Sequence, residues 1–334
     1  MTELSHDGGR VGVLLVNLGT PDAPTPRAVK RYLAEFLSDP RVVEIPALLW
    51  QPILRGIILN TRPARSAHAY RQVWTEAGSP LAAITAAQAA ALQARLGNDA
   101  RVGWAMRYGN PAIGAELARI KAEGGDRVLI APLYPQYSGA TTASAMDAVG
   151  AALKTMRWQP AIRTLPPYFA DPAHIAALAA DIERQIAALS FAPEVLLLSF
   201  HGMPERTVTL GDPYYRQCLE TARLLADGLA SKQPDLRVET SFQSRFGRAK
   251  WLEPSTEAAI AREAAAAGTR RLVIAAPGFS ADCLETREEL AIRGREQFLA
   301  GGGGEMAVLD CLNDGAAGMD MLEALVRREL AGWI

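Results

Sequence analysis

VGVLLVNLGTP (11–21) decides the fold: an unbroken apolar run closed by Gly19-Thr20-Pro21. A strand that is apolar on both faces needs cover on both sides, which a parallel sheet flanked by helices supplies. RVLIAPLY (127–134), EVLLLSFH (194–201) and RLVIAAPGF (271–279) are built the same way, each beside longer stretches of helical composition rich in Ala, Leu, Arg and Glu. The pattern predicts an α/β fold with parallel sheets.

The same runs repeat. Val11–Pro21 laid over Glu194–Pro204, 183 residues on, aligns VLLVNLGTP with LLLSFHGMP. Arg127-Val-Leu-Ile-Ala returns as Arg271-Leu-Val-Ile-Ala, 144 residues on, and RVGWAMRYGNP (101–111) resembles RVETSFQSRFGRAKWLEP (237–254). Three echoes in one order predict two similar α/β domains, 9–168 and 169–334, parted where turn residues gather in LPPYFADP (165–172). The C-terminal helix is expected to pack back on the first domain. A chain of 334 residues has the length for this.

Composition removes several function classes. With 35 Lys+Arg against 36 Asp+Glu, the net charge of -1 lacks the basic excess of a phosphate-backbone binder, so nucleic acid is excluded as the main partner. Cys218, Cys283 and Cys311 are scattered and odd in number, which argues against a disulfide framework or structural zinc and for a reducing, cytoplasmic compartment. The N-terminus is polar, and the apolar stretch Ile45–Leu59 is interrupted and too short to span a bilayer. Neither a signal peptide nor a membrane span is expected. No GxGxxG, GxxxxGK[ST] or GxSxG follows a strand, which disfavours nicotinamide, P-loop and α/β-hydrolase enzymes.

In α/β folds ligands sit beyond the carboxyl ends of the strands. There the repeat places His201 opposite Leu18, a polar residue where its counterpart is apolar. Histidine changes charge near neutral pH and can take a proton or ligate a metal, although one at a strand end can also be a structural cap. After the last strong strand, PGFSADCLETREEL (277–290) carries Asp282, Glu285, Glu288 and Glu289. On an α-helix, positions 282, 285 and 289 fall within a wedge of roughly 60° and climb about 10 Å. The helix dipole accounts for acids in a first turn, such as Asp282 and Glu285, but not for Glu289. Stacked carboxylates repel unless they share protons or bind a cation, so this ladder points to protons in transit or a hydrated divalent ion.

LSFHGMPER (198–206), GDPYYRQC (211–218), SFQSRFGRAKWLEPST (241–256) and PGFSADCLET (277–286) resemble the ferrochelatase family. VNLGTP (16–21), YRQVW with its following GSPL (70–81), MRYGNP (106–111) and YPQYSGATTAS (134–144) extend the likeness through the first half, in family order. The resemblance implies two Rossmann-like domains without a nucleotide. A porphyrin lies in the cleft between them, and ferrous iron is inserted into protoporphyrin IX, a lyase reaction that ends haem synthesis. It places His201 toward the pyrrole nitrogens and Glu285 across the cleft, the two metal-facing catalytic groups. Asp282 and Glu289 lead away as a path for protons or metal. Asn17, Leu18, Tyr70, Trp251 and Phe279 become porphyrin-contacting walls; Arg62, Ser79 and Arg107 become polar positions near the cleft, with a guanidinium suited to a propionate.

Iron is then a substrate, and no cofactor is held tightly. Relatives that carry an iron-sulfur cluster use a cysteine where this chain has Gly139, so no cluster is expected. Many relatives have a histidine where this chain has Cys283, which removes any essential role for that histidine here. Coproporphyrin III and cobalt stay open as alternative substrates, and a hinged, non-catalytic binding module is the reading from another class. The segment Tyr32–Leu59 gathers Leu33, Phe36, Leu37, Val42, Val43, Leu48, Leu49, Trp50, Ile53, Leu54, Ile57 and Ile58. Two prolines limit regular helix there, and the resemblance makes it an apolar lip through which the protein touches the cytoplasmic membrane face, aided by Arg41 and Arg55. A monomer is the favoured state.

Overall fold

The computed structural model describes residues 10–247, 249–266 and 269–334. Gly9, the expected start of the first domain, and the polar residues before it lie outside the described residues.

Two parallel sheets carry the fold. The first consists of β1 (Arg10–Gly19), β2 (Arg101–Tyr108), β3 (Gly125–Pro132) and β4 (Ala161–Thr164) in the order β2-β1-β3-β4. The second consists of β5 (Val195–His201), β6 (Arg237–Gln243), β7 (Arg271–Ala275) and β8 (Glu305–Val308) in the order β6-β5-β7-β8. The topologies are identical, and the echoes in the sequence are their registers. Gly12 pairs with Arg101, and Val195, 183 residues on, pairs with Arg237. Val11 pairs with Arg127, while the Glu194 N–H donates to the Arg271 carbonyl.

Helices α1 (Pro26–Phe36), α2 (Ala47–Ile53), α3 (Leu59–Val73), α4 (Pro80–Leu96), α5 (Ile113–Ala122) and α6 (Ser144–Lys154) belong to the first half. The second half adds α7 (Pro172–Ala187), α8 (Glu205–Thr209), α9 (Tyr214–Ala230), α10 (Thr256–Ala266), α11 (Arg295–Ala300) and α12 (Ala316–Leu330). Leu54–Ile58, Gly139–Ala143 and Glu285–Gly294 are π-helical.

The unbroken apolar strands follow from two-sided burial. Val13 and Leu15 of β1 join one continuous core with Leu196 and Leu198 of β5, filled by residues of α4, α7, α9 and α12. The alternate residues Leu14 and Val16 face a separate outer core with α5 and α6, and Leu197 and Ile274 face another with α10 and α11. Period-2 alternation is thereby masked, since both faces are buried. Helix α12 lies against α7, α4 and β3. Arg95 of α4 reaches Asp320 at 2.6 Å, and Arg327 reaches Asp99 at 3.3 Å.

Of the lip's prolines, Pro46 bounds the helix at the N-cap of α2, whereas Pro52 lies inside it and does not break it. Residues 47–73 are continuously helical, with the wide π turn between Pro52 and Pro63. A proline removes a backbone donor and crowds the preceding turn, which leaves carbonyls unpaired. Side chains add bonds to the π turn itself: Asn60 Nδ2 donates to the Arg55 and Gly56 carbonyls, and Thr61 Oγ1 to that of Ile57.

Candidate active site

The strand ends of both sheets open on one cavity of about 800 Å3, counting its mouth. Asn17 and Leu18 come from β1, His201 from β5, Phe279 from the turn after β7, Tyr70 from α3, Ser79 from the head of α4 and Glu285 from the first turn of the π-helix. Seven of the twelve residues singled out from sequence therefore share this cavity. Trp251 and Arg62 line a second, outer cavity of about 1240 Å3, set between the lip and the segments 203–207 and 246–251.

His201 ends the central strand β5, and its geometry fixes its tautomer. Nδ1 lies 2.7 Å from the Gly202 carbonyl oxygen, which only accepts, so Nδ1 carries the proton when the ring is neutral. Nε2 is left with a free lone pair. The ring is half-buried, with its centroid 6.5 Å from that of Phe279, and the strand end beneath is pinned by Tyr214, whose hydroxyl donates to the His201 carbonyl at 3.0 Å. Gly202 must be glycine, since a Cβ there would lie 2.6 Å from the Gln243 carbonyl oxygen.

The acidic segment differs from the expected ladder. Residues 285–294 form a π-helix, whose i→i+5 bonding gives more than four residues per turn and brings Glu285 and Glu289, four apart, into line. Asp282 lies before this helix and is not in the ladder. Its carboxylate is fully buried, accepts from Thr286 Oγ1 (2.8 Å), Arg287 Nη2 (2.8 Å) and Asn313 Nδ2 (2.7 Å), and does not line the cavity. Asp282, expected to lead away from Glu285, is instead held before the π-helix as one half of an ion pair with Arg287. Glu289 sits behind the main cavity, in a small pocket beside Thr256 and Arg293, and accepts from the Ser244 backbone N–H and hydroxyl, both at 2.7 Å. Burial pushes its carboxyl up, the Ser244 bonds oppose this, the Glu285 charge adds to it and His201 draws it down.

Arg107 is also corrected. Its guanidinium pairs with Asp39 at 2.6 Å, donates to the Ser144 carbonyl and hydroxyl, and lies over the Tyr108 ring, outside both cavities. It is committed to internal packing. Arg62 differs: its guanidinium stacks 5.3 Å from the Phe246 ring centre, and no carboxylate among the described residues pairs with it. Ser79 accepts from Thr20 Oγ1 at 2.8 Å, and Asn17 Nδ2 donates to Thr85 Oγ1 at 3.1 Å.

Sequence reasoning passed over Thr20, Tyr32, Tyr134, Gln136, Thr141 and Tyr214, which complete the inner wall. Tyr134, Gln136 and Tyr214 stand inside the quoted motifs YPQYSG and GDPYY; nothing marked Tyr32. Burial pushes the phenols of Tyr32 and Tyr70 and the Cys283 thiol far up, and the Glu285 charge adds to each. This wall is therefore uncharged at neutral pH, apolar in body and hydroxyl-tipped, around one histidine and one carboxylate. Such a cavity suits a largely apolar ligand met by a few convergent polar groups. Among the described residues no three His, Cys, Asp or Glu side chains form a metal-holding group. The three cysteines are buried and free.

The chain is 51% identical to a ferrochelatase of Methylocella silvestris, across 97% of this chain and 95% of that one. A ferrochelatase of Nitrobacter hamburgensis is 49% identical across 97% of this chain and 94% of its own length. Among solved structures, SirB from Bacillus subtilis with Fe3+ shares the fold at a TM-score of 0.58 and 12% identity, covering 97% of both chains. The ferrochelatase family model matches residues 10–330, so the chain belongs to the ferrochelatase family.

Proposed function

We propose that this protein inserts ferrous iron into protoporphyrin IX to form protohaem, and that the inner cavity holds the macrocycle. The observation that carries this reading is the pairing of a free imidazole lone pair, His201 Nε2, with the Glu285 carboxylate in one otherwise uncharged, apolar cavity. Insertion replaces two pyrrole N–H protons by one Fe2+, so the ring centre needs a base and the departing protons need a route. His201 Nε2 takes the two pyrrole protons one at a time, passing the first on before it accepts the second, while Nδ1 stays bonded to the Gly202 carbonyl and holds the ring in place. Glu285 balances the charge of the incoming cation, and Glu289, in line behind it, is the next carboxylate away from the ring. Phe279, Tyr70, Asn17 and Leu18 pack against the macrocycle and exclude water, which strengthens these interactions. Trp251 and Arg62 belong to the outer cavity, where Arg62 is placed to meet a propionate. Iron enters as substrate, and no iron-sulfur cluster takes part in these steps.

The lip supports peripheral contact with a membrane surface. Ile45, just before α2, stands exposed with Leu48, Leu49 and Ile53 of α2 and Ile57 of the π turn, Leu48 at 91%. An apolar patch of roughly a few hundred Å2 at about 25 cal/mol per Å2 supplies several kcal/mol toward reversible association. Not all of the segment takes part. Leu37 and Leu54 are buried, Trp50 turns inward to donate to the Leu37 carbonyl, and Arg41, expected near headgroups, is paired with Asp147. Arg55 stays exposed. No helix among the described residues is long and apolar enough to cross a membrane.

The substrate is tested by anaerobic absorbance assays with Fe2+ or Co2+ and protoporphyrin IX or coproporphyrin III. The reading expects the highest kcat/KM for Fe2+ with protoporphyrin IX. Preference for coproporphyrin III or cobalt would move the chain to the corresponding chelatase, and binding without insertion would make it a binding module.

A further inference from the structure

Behind the inner cavity, separated from it by Leu133, Phe279 and Ser280, lies a small cavity between α4, α7 and α12. Four polar atoms that reach it have no protein partner: Gln88 Oε1, Tyr168 OH, His174 Nε2 and Ser280 Oγ. Gln88, Tyr168 and His174 are each at least 97% buried, at 3%, 3% and 1% exposure. The orientation of the Gln88 amide is not free, because its Nε2 donates to two acceptors, the Ser280 carbonyl at 3.0 Å and the Asn313 carbonyl at 2.9 Å. Oε1 must therefore face the cavity with its lone pairs unmet.

The lining selects the occupant. No charged side chain borders the cavity, so an ion would lose its hydration without a counter-charge. An apolar guest would leave all four polar atoms unsatisfied. The set needs a partner that both donates and accepts, donating to Gln88 Oε1 and accepting from the Tyr168 and Ser280 hydroxyls; the space has room for about one water.

We propose that this cavity is a built site for one ordered water, and that the water with Gln88 fixes the turn that presents Phe279 and Glu285 to the porphyrin. The route is continuous. Gln88 holds Ser280 and Asn313; the Asn313 side chain donates to Asp282 Oδ2 at 2.7 Å and accepts from the Asp282 N–H at 2.9 Å. Asp282 in turn accepts from Thr286 in the first turn of the π-helix, next to Glu285. Gln88 is thus a positioning residue on a helix of the first half, acting on an element of the second.

The test uses the full-length protein and a Tyr168→Phe, His174→Phe double variant. Water-oxygen-17 magnetic relaxation dispersion counts long-lived internal waters, and the variant is expected to lose about one. Equal counts overturn the water site. Should the variant not fold, the wild type still decides. A high-resolution crystal structure is expected to show a water bonded to at least three of the four atoms, and xenon entering under pressure in its place would show a dry cavity and overturn the site. The positioning role rests on the ferrochelatase reading. For Gln88→Met it predicts a several-fold lower kcat at unchanged KM for the porphyrin; unchanged kcat overturns that role, while the water count stands apart from it.

Discussion

His201 and Glu285 both line a cavity whose other ionisable groups, Tyr32, Tyr70, Tyr134, Tyr214 and Cys283, are held neutral by burial. Removing either leaves walls and fold intact but takes away the base or the carboxylate at the ring centre. His201→Ala and Glu285→Gln should therefore each lower kcat about 100-fold or more while porphyrin quenching of tryptophan fluorescence still reports binding. His201 was legible from sequence because the repeat supplied its own control, Leu18 at the matching strand end. Arg107 was not, since a single sequence cannot show that Asp39, Ser144 and Tyr108 would claim its guanidinium from three other segments. The same holds for Asp282, whose partner Asn313 lies 31 residues on.

At the scale of elements, the strands were readable because two-sided burial writes itself as continuous Val, Leu and Ile. The π-helix was not, because its composition is that of an α-helix, on which Glu285 and Glu289, four apart, already share a face. Its buried acid has a pH signature. Glu289 is held above the ordinary carboxylate range, so the folded chain keeps a proton that the unfolded chain has released, and the associated stability is present at low pH and lost as pH rises through the raised value. Glu289→Gln should gain on wild type in Tm as pH is raised above about 4.5, the ordinary value of a glutamate carboxyl; a pH-independent difference would contradict this. The head of α7 behaves oppositely. Burial lowers His174 from 6.5 to about 4, so its contribution is complete above about 6.5 and drains as pH falls toward 4. The loss is about 3 kcal/mol at most. His174→Gln should show a flatter Tm profile between these two values, and parallel profiles would contradict it.

At the scale of the whole molecule, the two sheets share one topology and one core, and the cavity proposed for the chemistry opens where their carboxyl ends meet. The duplication was legible because segments echoed in the same order, at unequal offsets, became matching registers in the two sheets. The sorting of the lip was not, since twelve apolar residues in one segment do not say which of them face inward. The exposed set makes a specific prediction: Leu48→Ser with Leu49→Ser should abolish flotation with anionic liposomes at low salt and leave iron insertion with detergent-dispersed porphyrin unchanged. Full flotation of that variant would make the patch irrelevant to membranes. The central claim, that this cavity inserts iron with His201 as the base, is tested most directly by following ferrous iron and protoporphyrin IX anaerobically with the wild type and His201→Ala side by side. The account predicts metalloporphyrin formation by the wild type and a rate at least about 100-fold lower for the variant at matched porphyrin occupancy; no insertion by the wild type, or a variant within a few-fold of it, would contradict it.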